Sequence, residues 1–120
     1  MKNKKANILG TEYNIFFVNR SEDDLLKKLD GYCDHTTKKI VICNMFNDKD
    51  KENYTITNFH CLIKKTIRHE IIHAFLFESG LAYNSNDIES WAMNEEMVDW
   101  IAYQFPKIYE VFKKLDCLEN

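Results

Sequence analysis

A long amphipathic helix in the second half of the chain is the feature that most restricts the folds open to this sequence. Thr57 or Asn58 can cap its start, and Ser79-Gly80 mark its end. Its protein-facing side is formed by residues recurring at spacings of three and four: Phe59, Leu62, Ile63, Thr66, His69, Glu70, His73 and Phe77. Its second half is apolar nearly all round. We therefore expect this helix at the centre of a domain, between a sheet and another helix.

The helix carries two histidines four residues apart with a glutamate between them. His69 and His73 lie one turn apart, so both imidazoles can reach one metal ion. Glu70 lies on nearly the same side, where its carboxylate can contact a metal-bound water. The pattern H-E-x-x-H is typical of zinc peptidases, in which the histidines bind zinc and the glutamate is the general base. A third ligand has to come from elsewhere in the chain.

The first half of the chain has the pattern of two hairpins. The predicted strands are Ile8-Leu9, Tyr13–Val18, Tyr32–His35 and Lys39–Cys43. Between the hairpins, Ser21 is the expected cap of a short helix that ends before Gly31. We predict an α+β fold in which a small antiparallel or mixed sheet of three or four strands packs on the active-site helix and on a second, ligand-bearing helix.

That second helix is predicted to run from about Asp87 to Phe105, with Asn86 or Asp87 as its cap. Pro106 is expected to break it or to start a last short helix over 107–115. The apolar stripe of the predicted helix consists of Ile88, Trp91, Ala92, Val98, Ala102 and Phe105.

The same spacing places two carboxylates, Glu95 and Asp99, on the face of this helix that is expected to be buried. A buried carboxylate is costly unless it is paired, hydrogen-bonded or bound to a metal. Glu96 falls on another face. The pattern therefore favours Glu95 as the third metal ligand, and it lets Asp99 accept the free N–H of a ligand histidine.

Together, the H-E-x-x-H of residues 69–73 and the N-E-x-x-x-D of residues 94–99 resemble the gluzincin branch of the zinc peptidases. The order of elements also resembles small phage-type and ImmA/IrrE-like zincin proteins. The resemblance implies a minimal zincin-like domain that binds Zn²⁺. By this resemblance, the zinc ligands are His69, His73 and Glu95. The general base is Glu70, and the supporting aspartate is Asp99.

The resemblance further implies hydrolysis of peptide bonds in a peptide or a partner protein, for example a regulatory protein of a phage or its host. An extended substrate would pair with the edge of the strand Lys39–Cys43. The family usually adds a Tyr, His or Arg that stabilises the oxyanion. Four candidates for this role stay open: His35, Tyr54, Tyr83 and Tyr103. The alternative function is a non-catalytic, regulatory protein that uses a zincin scaffold to dock to a partner.

Length and composition restrict the remaining classes. The 120 residues fit one domain, 1–120, and a net charge of −3 spread along the chain gives no nucleic-acid footprint. No apolar run approaches membrane-spanning length. The four cysteines have no C-x-x-C spacing and no signal peptide precedes them, so we expect reduced thiols and a cytoplasmic protein. The oligomeric state stays open.

Overall fold

A computed structural model of the chain describes residues 2–49, 51–55, 57–83 and 91–118. Within these ranges the chain forms a four-stranded mixed sheet and two long helices, which confirms the predicted α+β class. The strands are β1 (Lys4–Ile8), β2 (Thr11–Val18), β3 (Gly31–Asp34) and β4 (Lys39–Cys43), and the helices are α1 (Phe59–Glu78) and α2 (Glu95–Lys114). Short 3₁₀ turns connect them.

The sheet has the order β1-β2-β4-β3. Both predicted hairpins are confirmed, since β1 pairs with β2 and β3 with β4 in antiparallel fashion. The first strand is Lys4–Ile8 and not Ile8-Leu9 as predicted, because Leu9 and Gly10 form the turn. The hairpins join through the parallel pair β2–β4, which aligns Ile15 with Ile40. The prediction that β4 is available as an edge strand is wrong. Its residues Ile40, Val41 and Ile42 are buried inside the sheet, and β1 and β3 are the edges.

The segment between the hairpins corrects a second prediction. Residues 20–27 form two short 3₁₀ helices and not an α-helix capped by Ser21. The cap of the second turn is Asp23, whose side chain accepts hydrogen bonds from the amide of Leu25 and from the hydroxyl of Tyr32. Leu26 alone among the three leucines here is buried, so the segment has too little apolar surface to hold a longer helix.

Helix α1 has the predicted limits. The side chain of Asn58 accepts from the amide of Cys61 at its start, and Gly80 follows its end with φ +86°. Such a positive φ favours glycine. The face toward the sheet buries Leu62, Ile63, Thr66 and Ala74, with Glu70 among them.

Helix α2 differs from its prediction at both ends. It begins at Glu95, where the side chain of Asn94 accepts from the amide of Met97, and residues 91–93 before it form a 3₁₀ turn. The predicted caps Asn86 and Asp87 and the stripe residue Ile88 lie outside the described residues, and so does the side chain of Trp91. Phe105, expected in the core, is 52% exposed.

At its other end, α2 continues through Pro106, which was expected to interrupt it. Proline has no N–H to donate to the carbonyl of Ala102 four residues earlier. Arg68 on α1 supplies the missing donor, because its Nε lies 2.6 Å from that carbonyl oxygen. The proline therefore leaves no unsatisfied group at this point.

Two apolar clusters hold these elements together. The larger one joins the sheet to α1, and the smaller one joins the end of α1 to the start of α2 around Leu76, Ala92 and Val98. All four cysteines are free thiols. Within the described ranges, no helix is long and apolar enough to cross a bilayer.

Candidate metal centre

The two histidines of α1 turn toward the start of α2. The Nε2 atoms of His69 and His73 are 3.2 Å apart. Glu95, the first residue of α2, reaches both of them: its Oε1 is 2.9 Å from Nε2 of His73, and its Oε2 is 3.2 Å from Nε2 of His69. The structure thus brings together the three residues that the sequence proposed as metal ligands.

Glu95 reaches this position for a different reason from the one expected. Its side chain is 70% exposed and that of Asp99 is 40% exposed, so the two carboxylates do not lie on a buried face. The Asn94 cap fixes the first turn of α2 beside α1 instead. Glu96 points into a separate surface cleft with Met97 and Trp100. This geometry selects Glu95 over Glu96.

Asp99 orients the ring of His69 through Nδ1, the ring nitrogen that does not face His73 and Glu95. Its Oδ1 lies 2.9 Å from Nδ1 of His69 and accepts a second hydrogen bond from Nζ of Lys65 at 3.2 Å. Partial burial raises the pKa of Asp99, but the hydrogen bonds from Lys65 and His69 outweigh it and hold the pKa below its usual value. A charged Asp99 makes Nδ1 of His69 the protonated nitrogen and leaves a lone pair on Nε2.

The donor atoms fit a tetrahedral cation. Bonds of about 2.0–2.1 Å at a tetrahedral angle separate two donors by about 3.3 Å, and the three separations here are 2.9, 3.2 and 3.2 Å. Burial, followed by the neighbouring His69, lowers the pKa of His73 against the opposite effect of Glu95. Two imidazoles and a carboxylate that converge in this way form a donor set that could hold a metal ion.

Glu70 is the most buried of the acidic groups at the site. Its side chain is 8% exposed, and its Oε1 lies 4.0 Å from Nε2 of His69. Burial, and then the charge of Glu95, raise the pKa of Glu70 to about 8, although Lys65 acts in the opposite direction. A divalent cation on the adjacent ligands would lower that pKa again. Among the described residues, none donates a hydrogen bond to this carboxylate.

Two clefts open on either side of Glu70. The first, here called the apolar cleft, has a volume of about 320 Å³ and extends along α1 past His73 to Phe77, with Tyr32 and Met93 in its walls. The second, the lysine cleft, has a volume of about 160 Å³ and extends the other way to Lys65. Both clefts share Leu29, Gly31, Glu70 and Glu95.

Strand β3 forms the wall opposite α1, and no other strand within the described part of the chain pairs with its outer edge. The amide of Cys43 in β4 donates to the carbonyl of Asp30 at 2.8 Å. Backbone groups alternate in direction along a strand, so the N–H and C=O groups of Gly31 and Cys33 point away from β4. Both residues line the apolar cleft. An extended peptide could therefore pair with β3, and not with β4 as the sequence suggested.

The four oxyanion candidates are not equally placed. Tyr54 is engaged elsewhere, since its hydroxyl donates to Asp48, and Tyr103 lies under Nζ of Lys65 with its ring centroid 4.9 Å away. His35 stacks on Phe77 of the apolar cleft at a centroid distance of 4.0 Å, and the hydroxyl of Tyr83 lies 2.9 Å from its Nδ1. His35 and Tyr83 are the candidates in contact with the wall of the apolar cleft, whereas Tyr103 contacts Lys65 of the lysine cleft.

Sequence reasoning missed the roles of Lys65 and Gly31 in this site. A signal for Lys65 was present, because it precedes His69 by one helical turn and therefore lies on the same face of α1. No comparable signal marked Gly31, because the closeness of β3 to α1 is a tertiary property. Comparison with known proteins gives no further guidance: no family model matches the sequence, and no curated protein or solved structure is significantly similar to it.

Proposed function

We propose that this protein is a zinc-dependent metallopeptidase of the zincin type, which acts on a peptide or on a partner protein. The observation that carries the proposal is the convergence of His69, His73 and Glu95 beside a buried Glu70, next to clefts that border the edge strand β3. A metal held by three protein ligands keeps a fourth position for water, as in catalytic zinc sites. Structural zinc sites usually have four protein ligands.

Each residue has a distinct task in this proposal. When bound, zinc supplies a Lewis acid that polarises the carbonyl of the peptide bond and acidifies water. Asp99 keeps His69 in the tautomer whose Nε2 faces the site. The outward backbone groups of Gly31 and Cys33 hold the substrate chain in extended form beside Glu70.

Glu70 is the proton carrier. Its carboxylate takes a proton from the attacking water while the water oxygen bonds to the carbonyl carbon. It then gives the proton to the nitrogen as the carbon–nitrogen bond breaks. For this task it has to be ionised before the water attacks, and the cation on the adjacent ligands is what would keep it so. His35 and Tyr83 are the proposed stabilisers of the oxyanion, because they contact the wall of the apolar cleft.

The proposal is tested by Glu70→Gln, which keeps the shape of the side chain and removes its basicity. We expect the zinc-loaded variant to lose hydrolysis of a peptide mixture by about 10²–10⁴-fold while it keeps its zinc. The matched control is Glu96→Gln, at an exposed position outside both clefts, and it should hydrolyse the mixture like the parent.

Hydrolysis that persists in Glu70→Gln would contradict the mechanism. A parent protein that binds zinc, cuts none of the peptides and still captures one partner would favour the non-catalytic alternative. The zincin identity and the phage-type context belong to the same proposal, since they depend on the resemblance of the two motifs and of the order of elements. The cytoplasmic location is proposed on a separate ground, the absence of C-x-x-C spacing among the four cysteines.

A further inference from the structure

The two clefts lie in line, one on either side of Glu70. Along α1, the lysine cleft is lined by Lys65 and Thr66 and the apolar cleft by His73 and Phe77. On the opposite wall, the lysine cleft includes Asp30, which directly precedes β3, and the apolar cleft includes Cys33 of β3. A peptide paired with the edge of β3 would therefore run past both clefts, with one of its backbone bonds next to Glu70.

The direction of the peptide decides which side chain enters which cleft. Antiparallel pairing is the more stable arrangement of two strands. An antiparallel peptide runs from Cys33 toward Gly31, so its acyl part passes the apolar cleft. Because consecutive side chains point to opposite faces, the second residue on the acyl side of the cleaved bond enters that cleft. The first residue on the leaving-group side then enters the lysine cleft.

Lys65 supplies a positive charge in that cleft, which is also lined by the carboxylates of Asp30, Glu70, Glu95 and Asp99. Lys65 is the only lysine or arginine among the described residues that line either cleft. Its side chain is 15% exposed, and its Nζ is held between Oδ1 of Asp99 at 3.2 Å and the ring of Tyr103. An ammonium group has three N–H donors, and the structure gives one carboxylate partner to this one. A donor is thus available to a ligand in the cleft.

We propose that Lys65 determines specificity by binding a carboxylate on the leaving-group side of the cleaved bond, an inference that rests on the proposed peptidase function. The volume of about 160 Å³ equals that of about five water molecules, which has room for a short acidic group. The carboxylate comes either from an aspartate side chain or from the C-terminus of the substrate.

The experiment uses peptides with phenylalanine as the second residue on the acyl side and Asp, Asn or Lys as the first residue on the leaving-group side. A second pair carries alanine there, with the C-terminus free or amidated. We expect kcat/KM for Asp over Asn, or for the free over the amidated C-terminus, to differ by about 10–100-fold in the zinc-loaded parent. The pair that shows the difference identifies the source of the carboxylate.

Four variants test whether Lys65 causes this difference in kcat/KM. Lys65→Met should reduce the ratio to about one, Lys65→Glu should reverse it in favour of the Lys peptide, and Lys65→Arg should keep it. The matched control is Lys64→Met, because Lys64 is exposed and lines neither cleft. The ratio is taken within one variant, so a change in metal occupancy or folded fraction cancels.

A second readout does not need catalysis. The same peptides are titrated into the Glu70→Gln protein, with and without Lys65→Met, and binding is followed by calorimetry. Hydrolysis without any preference for a carboxylate would overturn the role of Lys65 and leave the peptidase standing. Lys65-dependent binding of the acidic peptides without hydrolysis by the parent would support the recognition and overturn the peptidase. Neither binding nor hydrolysis would overturn both.

Discussion

At the scale of single residues, His69 uses both ring nitrogens. Nε2 faces His73 and Glu95, and Nδ1 bonds to the carboxylate of Asp99 at 2.9 Å. An anionic partner makes the imidazole a stronger ligand because it stabilises positive charge on the ring. Asp99 therefore strengthens His69 as a metal ligand through its charge as well as through the orientation that it gives to the ring.

Asp99→Asn tests that statement, since it keeps the shape of the side chain and removes its charge. We expect the affinity for zinc to fall by about 10–100-fold in competition with a chelator. The variant Glu96→Gln, three residues earlier on the same helix, should bind zinc like the parent. An unchanged affinity in Asp99→Asn would mean that Asp99 does not support the ligand.

Glu78 is a second carboxylate whose environment decides its charge. It accepts hydrogen bonds from Nζ of Lys38 and the hydroxyl of Tyr13, both at 2.7 Å, and from the hydroxyl of Thr11. The Lys38 and Tyr13 bonds lower the pKa of Glu78. A lowered pKa in the folded state stabilises the fold above the unfolded value of about 4.3, and this contribution is lost as pH falls through the folded-state pKa.

Glu78→Gln should therefore destabilise the metal-free protein at pH 7, and the difference from the parent should shrink as the pH falls below about 4.3 and through the lowered pKa of Glu78. Urea unfolding at several pH values measures it. The control Glu52→Gln, at an exposed position, should leave the free energy of unfolding unchanged. A destabilisation by Glu78→Gln that stays constant across this range would show that the charge of Glu78 is not what matters.

At the scale of elements, Gly31 sets the distance between β3 and α1. A Cβ atom at this position would lie 2.9 Å from Cγ2 of Thr66 and 3.0 Å from the carbonyl oxygen of Val41. Thr66 cannot easily rotate away, because it is buried and its hydroxyl donates to the carbonyl of Leu62 at 2.8 Å. The edge strand and the helix of the site thus approach each other through a glycine.

Gly31→Ala is expected to lower the free energy of unfolding by about 1–3 kcal/mol through overpacking. Adding Thr66→Ser removes the methyl group that the new Cβ meets, so the double variant should recover part of the loss. Chemical denaturation of the two single variants and the double variant gives the coupling. Strictly additive effects would rule out this contact as the cause.

The contact between the two helices depends on Arg68, which replaces the donor that Pro106 lacks. Arg68→Leu should lower the free energy of unfolding by about 1–3 kcal/mol, because it leaves the carbonyl of Ala102 without a partner. Pro106→Ala restores the N–H of residue 106, so Arg68→Leu should cost less in that background. An equal cost in both backgrounds, measured by urea unfolding, would contradict this explanation of how α2 passes through its proline.

At the scale of the whole molecule, local patterns predicted more than long-range ones. The hairpins and the limits of α1 follow from turn residues, caps and periodicity, and the structure confirms them. The internal position of β4 is decided by its parallel pairing with β2, which no local pattern contains. The continuity of α2 through Pro106 depends on an arginine on another helix.

In the candidate site, too, local sequence patterns predicted some residues, and others depend on the tertiary arrangement. The spacing of His69, Glu70 and His73 is a local property of one helix, so the sequence could place these side chains together. Glu95 was chosen over Glu96 from a presumed buried stripe, yet its side chain is exposed and its position follows from the cap of α2. The edge strand, the two clefts and Lys65 required the tertiary arrangement of β3 against α1.

The central claim is that His69, His73 and Glu95 bind one zinc ion. Elemental analysis of tag-free protein, supplied with zinc and freed of excess, tests it most directly when Glu95→Ala and Glu96→Ala are measured beside the parent. We predict about one zinc ion per chain in the parent and in Glu96→Ala, and its loss in Glu95→Ala. No zinc in any of the three proteins, or equal zinc in all of them, would contradict the assignment of this site.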